Sequence, residues 1–110
     1  MKFFDSEVVR AEMTEIAELQ EEVYVNVFRF PYMTLEDQKN HIDLLEKLVE
    51  KQKVLYARLS LSNDPEAKKM QEKIRESAST MGIPSNVDIS VLFNQMTQTL
   101  TVMKKQIDNS

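Results

Sequence analysis

The sequence predicts an all-α fold of four helices, and three observations carry that prediction. Helix breakers are scarce and segregated: the one glycine and three prolines of 110 residues fall at three seams, Pro31, Pro65 and Gly82-Ile83-Pro84. Between the seams, apolar residues recur at alternating spacings of four and three, as a buried helix face requires. Residues suited to helix caps stand beside each seam. The expected helices cover about 6–29, 35–59, 65–81 and 87–107, in a single helical domain spanning 1–110. Helices one and two form a long antiparallel hairpin, and the shorter helices three and four pack on it.

In helix one, Asp5 is placed to act as N-cap, with Phe4 and Val9 as the two arms of a hydrophobic staple. Its seam reads Val9, Met13, Ile16, Gln20, Val23, Val27, Phe30, and Glu7, Glu15, Glu18 and Glu22 fall on the opposite face. The last third, Val23 to Phe28, is rich in β-branched residues at period two, so a short strand is an alternative there. Pro31 forces a turn, after which Thr34 caps helix two with Asp37 at the third helical position. Helix two carries Ile42, Leu45, Val49, Gln52, Tyr56 and Leu59 on its seam, widened by Leu48 and Leu55. Asp43 and Lys47 are spaced for an exposed i,i+4 pair.

Asp64 followed by Pro65 is a strong start signal for helix three. That helix turns Ala67, Met70, Ile74, Ala78 and Met81 inward and stops at Gly82, where a left-handed residue and the contact of Ile83 would complete a Schellman motif. Helix four is capped by Asn86 or Asp88 and has a regular seam of Ile89, Phe93, Met96, Leu100, Met103 and Ile107.

Composition narrows the functional classes. Apolar residues make up 42% and charged residues 29% of the chain, a balance typical of a globular domain. With no cysteine there is neither a disulfide framework nor a thiolate metal site, which fits a reducing cytoplasm. The first residues lack the apolar run of a signal peptide, and no apolar stretch is long enough to span a bilayer. Net charge is −4 and the excess is local: from Asp5 to Phe30, seven acids face only Arg10 and Arg29. Such a chain, lacking a continuous basic stripe, argues against nucleic-acid binding. Lys68, Lys69, Lys73 and Arg75 on helix three, with Lys104 and Lys105 later, are interleaved with acids and have no aromatic stacking partners.

Motifs for chemistry are sparse. His41, with Asp37 one turn earlier, offers two metal ligands, whereas helical di-metal sites need Glu-x-x-His pairs on two helices with further carboxylates. The bland reading of His41 is a partly exposed helix histidine. Glu15, Glu18 and Glu22 form an acidic face, but a catalytic pair requires an enclosed pocket that nothing in the sequence indicates. A single glycine builds no phosphate loop. No cofactor is expected. Gln20 and Gln52 interrupt their apolar seams, and a polar residue there commonly sets register or partner geometry. From their levels in the hairpin the two amides would not pair with each other, so each would need another partner, such as a second subunit.

The segment Tyr24-Val25-Asn26-Val27-Phe28-Arg29-Phe30-Pro31-Tyr32-Met33 holds four of the eight aromatics. Either helices three and four cover it, or its side chains, notably Val25, Phe28 and Tyr32, form a binding patch. Tyr24, Arg29, Phe30 and Met33 belong to the same candidate site, being of types enriched at protein interfaces.

The stretches Phe3-Phe4-Asp5-Ser6-Glu7-Val8-Val9, Glu50-Lys51-Gln52-Lys53-Val54, Arg58 through Ala67 and Met81-Gly82-Ile83-Pro84 together resemble a family of small all-helical proteins of unknown function from cyanobacteria and the phages that infect them. The resemblance spans nearly the whole chain. It implies a cytoplasmic protein acting by binding to host machinery such as transcription or light harvesting, and it transfers no catalytic or binding residue. The expected function is therefore a non-enzymatic protein-binding adaptor or regulator, assembled as a homo-oligomer, in the simplest case a dimer. The alternative is a small-molecule or metal-binding bundle with a pocket lined by His41, Asp37 and Gln52.

Overall fold

The computed structural model describes residues 2–80, 82–84 and 88–109. A short 3-10 turn, Phe3–Asp5, leads into α1 (Glu7–Val27); a second, Phe30–Tyr32, leads into α2 (Leu35–Leu61). Then come α3 (Pro65–Thr80) and α4 (Ile89–Asp108). No strand occurs among the described residues, and Val23 to Val27 stay helical despite their β-branched character. Positions 81 and 87, expected at the edges of helices three and four, and Asn86, one of the two expected caps, lie outside the described residues.

The seams follow from local chemistry. Thr34 Oγ1 accepts from the Asp37 amide at 3.1 Å, as the spacing predicts. Asp64 Oδ1 accepts from the Glu66 amide at 3.0 Å, and Asp88 Oδ1 from that of Ser90, also at 3.0 Å. Gly82 adopts φ +92, the Ile83 amide donates to Ala78 O and the Gly82 amide to Ser79 O, so the Schellman motif is complete. The first cap differs from expectation: Ser6, not Asp5, caps α1 by accepting from the Val9 amide at 3.5 Å. Asp5 is taken up in the 3-10 turn, so the staple as expected does not form, although Phe3 and Phe4 still pack against Val9 and its neighbours.

The architecture is a spine with flanks. α1 runs antiparallel to α2, joined by the Arg58–Glu12 pair at 2.9 Å and the Lys51–Glu15 pair. Between them lies one buried cluster: Val9, Ile16 and Leu19 of α1 with Leu48 and Leu55 of α2. α3 folds back along the C-terminal end of α2, where Gln71 Nε2 donates to Ser60 Oγ at 3.2 Å. α4 continues in that direction along the rest of α2. Its start packs Phe93 on Tyr56, and its end is held by Lys39–Asp108 at 2.8 Å and by Lys104–Asp43. Asp43 thus pairs across helices instead of with Lys47. A second cluster of Tyr56, Ala78 and Ile89 joins α2, α3 and α4.

Leu44, Leu48, Lys51, Leu55 and Arg58 face α1, while Lys39, Asp43, Lys53 and Tyr56 meet α4. At 100° per residue these sets lie on opposite sides of α2. Helices three and four therefore pack on α2 and leave α1 largely uncovered. The shape reflects this: the extents are 49 × 31 × 20 Å and the radius of gyration is 15.8 Å. A compact chain of this length would have a radius of about 13 Å.

Candidate functional site

The uncovered side of α1 decides which sequence candidates are available for contact. Its buried stripe is rotated from the expected one. Val9, Met13, Ile16, Val23 and Phe30 face inward as expected, but Leu19 is buried where Gln20 was expected, and both Gln20 and Val27 of the expected seam are exposed. α1 packs chiefly on α2, where Leu19 joins Leu48 and Leu55 in the buried cluster and Arg58 holds Glu12 alongside. Gln52 is half-buried on α2. Gln20 and Gln52 line the same apolar groove of about 420 Å³, whose wall includes Ile16, Tyr56, Ile74 and Phe93.

At the C-terminal end of α1 the aromatic corner lies open. Tyr24 is 74% exposed, Phe28 84% and Tyr32 90%, with Val25 and Val27 also exposed. Phe28 caps the helix backbone while its ring projects away, and the 3-10 turn after Arg29 throws Tyr32 outward. Arg29 is exposed, whereas Phe30 and Met33 are half-buried and anchor the turn. Gln38 Nε2 donates to Phe30 O at 3.0 Å, and the Phe30 ring lies 5.4 Å from that of His41. So the seven corner residues divide into an exposed group, Tyr24, Val25, Phe28, Arg29 and Tyr32, and two anchors.

Acidic side chains adjoin this corner. Glu18, Glu21, Glu22, Val25 and Asn26 line one shallow depression, which joins the acidic face to the apolar corner in a single surface. Glu15 is a separate case. Its carboxylate is held by Lys51, whose hydrogen bond and charge keep its pKa below the ordinary carboxylate value.

His41 is buried, contrary to the expected partial exposure, and its Nδ1 has no hydrogen-bond partner. Burial lowers its pKa by disfavouring the charged imidazolium. Asp37 is exposed in the first turn of α2, and neither residue lines the groove that contains Gln52, so the expected three-residue pocket does not form. Among the described residues no group of three or more histidines and carboxylates is arranged to hold a metal ion. Lys68, Lys69, Lys73 and Arg75 are exposed on α3, and Arg75 lies against the Tyr56 hydroxyl. No helix among the described residues is long and apolar enough to cross a membrane.

No curated protein and no solved structure matches the chain. Residues 1–107 match the family model described as a domain of unknown function, DUF1825, and the chain belongs to that family.

Proposed function

We propose that the protein is a non-enzymatic adaptor or regulator that binds another protein through the corner at the end of α1. The observation that supports this reading is the exposure of Phe28 and Tyr32, at 84% and 90%, beside Glu18, Glu21 and Glu22. Aromatic rings left in water serve no purpose in the fold, and they supply rigid contact area at low entropic cost when covered. The flanking carboxylates select a basic partner and steer its approach. The partner class is thus a protein segment with apolar residues bordered by lysine or arginine. The resemblance to cyanobacterial and cyanophage proteins makes the cytoplasmic host machinery for transcription or light harvesting the place to look for it.

Affinity capture from native host lysate tests the reading, with wild type compared against a Phe28→Ala, Tyr32→Ala double variant and a Glu18→Gln, Glu22→Gln variant. The aromatic variant loses the partner, and the acidic variant retains it with weaker, less salt-sensitive binding. Identical capture by all three would sink the assignment. The apolar groove favours a second reading, a small-molecule site with Gln20 and Gln52 as its polar groups. Met96 also lines the groove, and an apolar fluorescent probe that binds wild type and not Met96→Lys would support that reading instead.

A further inference from the structure

The face of α4 turned away from α2 has a pattern that α1 lacks. From Ile89 to Met103 the chain runs fifteen residues without a charge, although of the twenty residues of α4 only Ile89 is buried. Along the outward face, Asp88, Val91, Gln95, Gln98, Val102 and Lys105 follow one another at spacings of three and four, and all six are exposed. Read backwards, the stripe complements itself. A charge of one sign stands at each end, then a valine, then a glutamine at the centre.

We infer that this stripe is the two-fold interface of a homodimer, formed by antiparallel packing of α4 against the α4 of a second copy. Centred between Gln95 and Gln98, that pairing sets Asp88 opposite Lys105, Val91 opposite Val102 and Gln95 opposite Gln98, each twice. An amide both donates and accepts, so glutamines can satisfy one another across the axis. An isologous contact requires a surface complementary to itself. The acidic face of α1 fails that requirement, because a copy of it would oppose carboxylate with carboxylate. Depletion of charge at the centre with opposite charges at the rim is also the composition of an interface.

The exposed area points the same way. The chain exposes 7889 Å². A compact monomer of its mass exposes about 6,300 Å², leaving an excess of about 1,600 Å². A stable interface takes about 800 Å² from each partner, about half of that excess.

Sedimentation of the purified chain tests the assignment. Wild type is expected at twice the 12.8 kDa chain mass. Val102→Glu removes an apolar contact and adds two like charges to an already acidic dimer, weakening association by roughly a hundredfold with unchanged helicity by circular dichroism. Orientation is read by cross-linking, since the chain has no cysteine of its own. An equimolar mixture of Gln95→Cys and Gln98→Cys chains forms the mixed disulfide faster than either forms its own. The Phe28→Ala, Tyr32→Ala variant remains dimeric, so loss of the proposed corner contact and loss of this interface are separable. A monomeric wild type, a dimer indifferent to Val102→Glu, or preferential self-linking of the single-cysteine chains overturns the inference.

Discussion

α1 and α4 flank the same spine and present opposite kinds of surface. α1 buries Val9, Ile16 and Leu19 against α2 and turns glutamates and a cluster of exposed aromatics to solvent. α4 buries little and turns out valines and amides with no charge between Asp88 and Lys104. An acidic surface attracts what differs from it, a basic partner, whereas a neutral, palindromic one can meet its own copy. The difference teaches that a thin, elongated monomer need not expose one generic sticky side. Its two flanks are specialised, and the spine between them carries the stability of both.

The largest expected effect falls on that spine. Leu59 is fully buried near the C-terminal end of α2. Leu59→Ala should destabilise the fold by about 2–5 kcal/mol, the usual cost of a large-to-alanine cavity. Urea unfolding followed separately by helicity and by a probe on α4 checks whether the flanks depend on the spine together. Coincident transitions at a lower midpoint are expected. An α4 signal that holds its wild-type midpoint would show that the two flanks are independent units.

Next in size is a contrast between neighbours on α1. Leu19→Ala should cost about 2–3 kcal/mol, while Gln20→Ala should change stability by no more than about 0.5 kcal/mol. Equal losses would restore the phase in which Gln20 lies in the seam. This pair also marks where sequence reasoning reaches its limit. The later caps and stops were readable because their chemistry is local: Thr34 with Asp37, Asp64 with Pro65, and Gly82 with Ile83 act within a few residues, whereas at the first Ser6 takes the place expected of Asp5. The phase of α1 was not, because two stripes share Val9, Ile16, Val23 and Phe30 and differ only between them. What selects one is the packing of Leu19 with Leu48 and Leu55 of α2, residues distant in sequence. Exposure of the aromatic corner depends likewise on where α3 and α4 lie on α2, a property of packing between helices. The α4 stripe was present in the letters, but its meaning required knowing which face of α4 turns away from the spine.

Acid should loosen the end of the spine beside the hairpin turn before its opposite end. His41 is buried against Phe30, and Phe30 lines a cleft with Met103 and Ile107 at the end of α4. Burial depresses the folded-state pKa of His41 below its ordinary value of 6.5. The unfolded state then binds more protons between the two values, so stability is full above pH 6.5 and falls as the pH drops toward the folded value. Asp64 behaves similarly in a lower range. Its pKa is depressed by the amides of Phe3 and Glu66, so its contribution is present above the ordinary carboxylate value and lost in stronger acid. Hydrogen exchange from pH 7.5 to 5.5 should show early loss of protection in the turns of α2 around His41, and His41→Phe should abolish it. Equal loosening at both ends of α2 in that interval would remove His41 from the account.

The smallest expected effect separates an interaction from the penalty of breaking it. Arg58 Nε donates to Glu12 Oε1, while Glu12 Oε2 is buried without a partner, so one carboxylate already carries an unmet cost. Arg58→Ala leaves the whole carboxylate without its cation and should cost about 1 kcal/mol. Glu12→Gln removes the charge together with its need for a counterion, keeps an oxygen for Arg58, and should be close to neutral. A double-mutant cycle by urea unfolding reads the coupling between the two. On the α4 side, Asp108→Asn opens a pair with Lys39 in which both partners are well exposed, so its effect should lie below that of Arg58→Ala and vanish in high salt. If Asp108→Asn proves the costlier change, the charge-poor flank depends on its terminal ion pair more than the acidic flank depends on Arg58. The end of α4 would then be held to the spine chiefly by electrostatics, where the outward stripe needs it rigid.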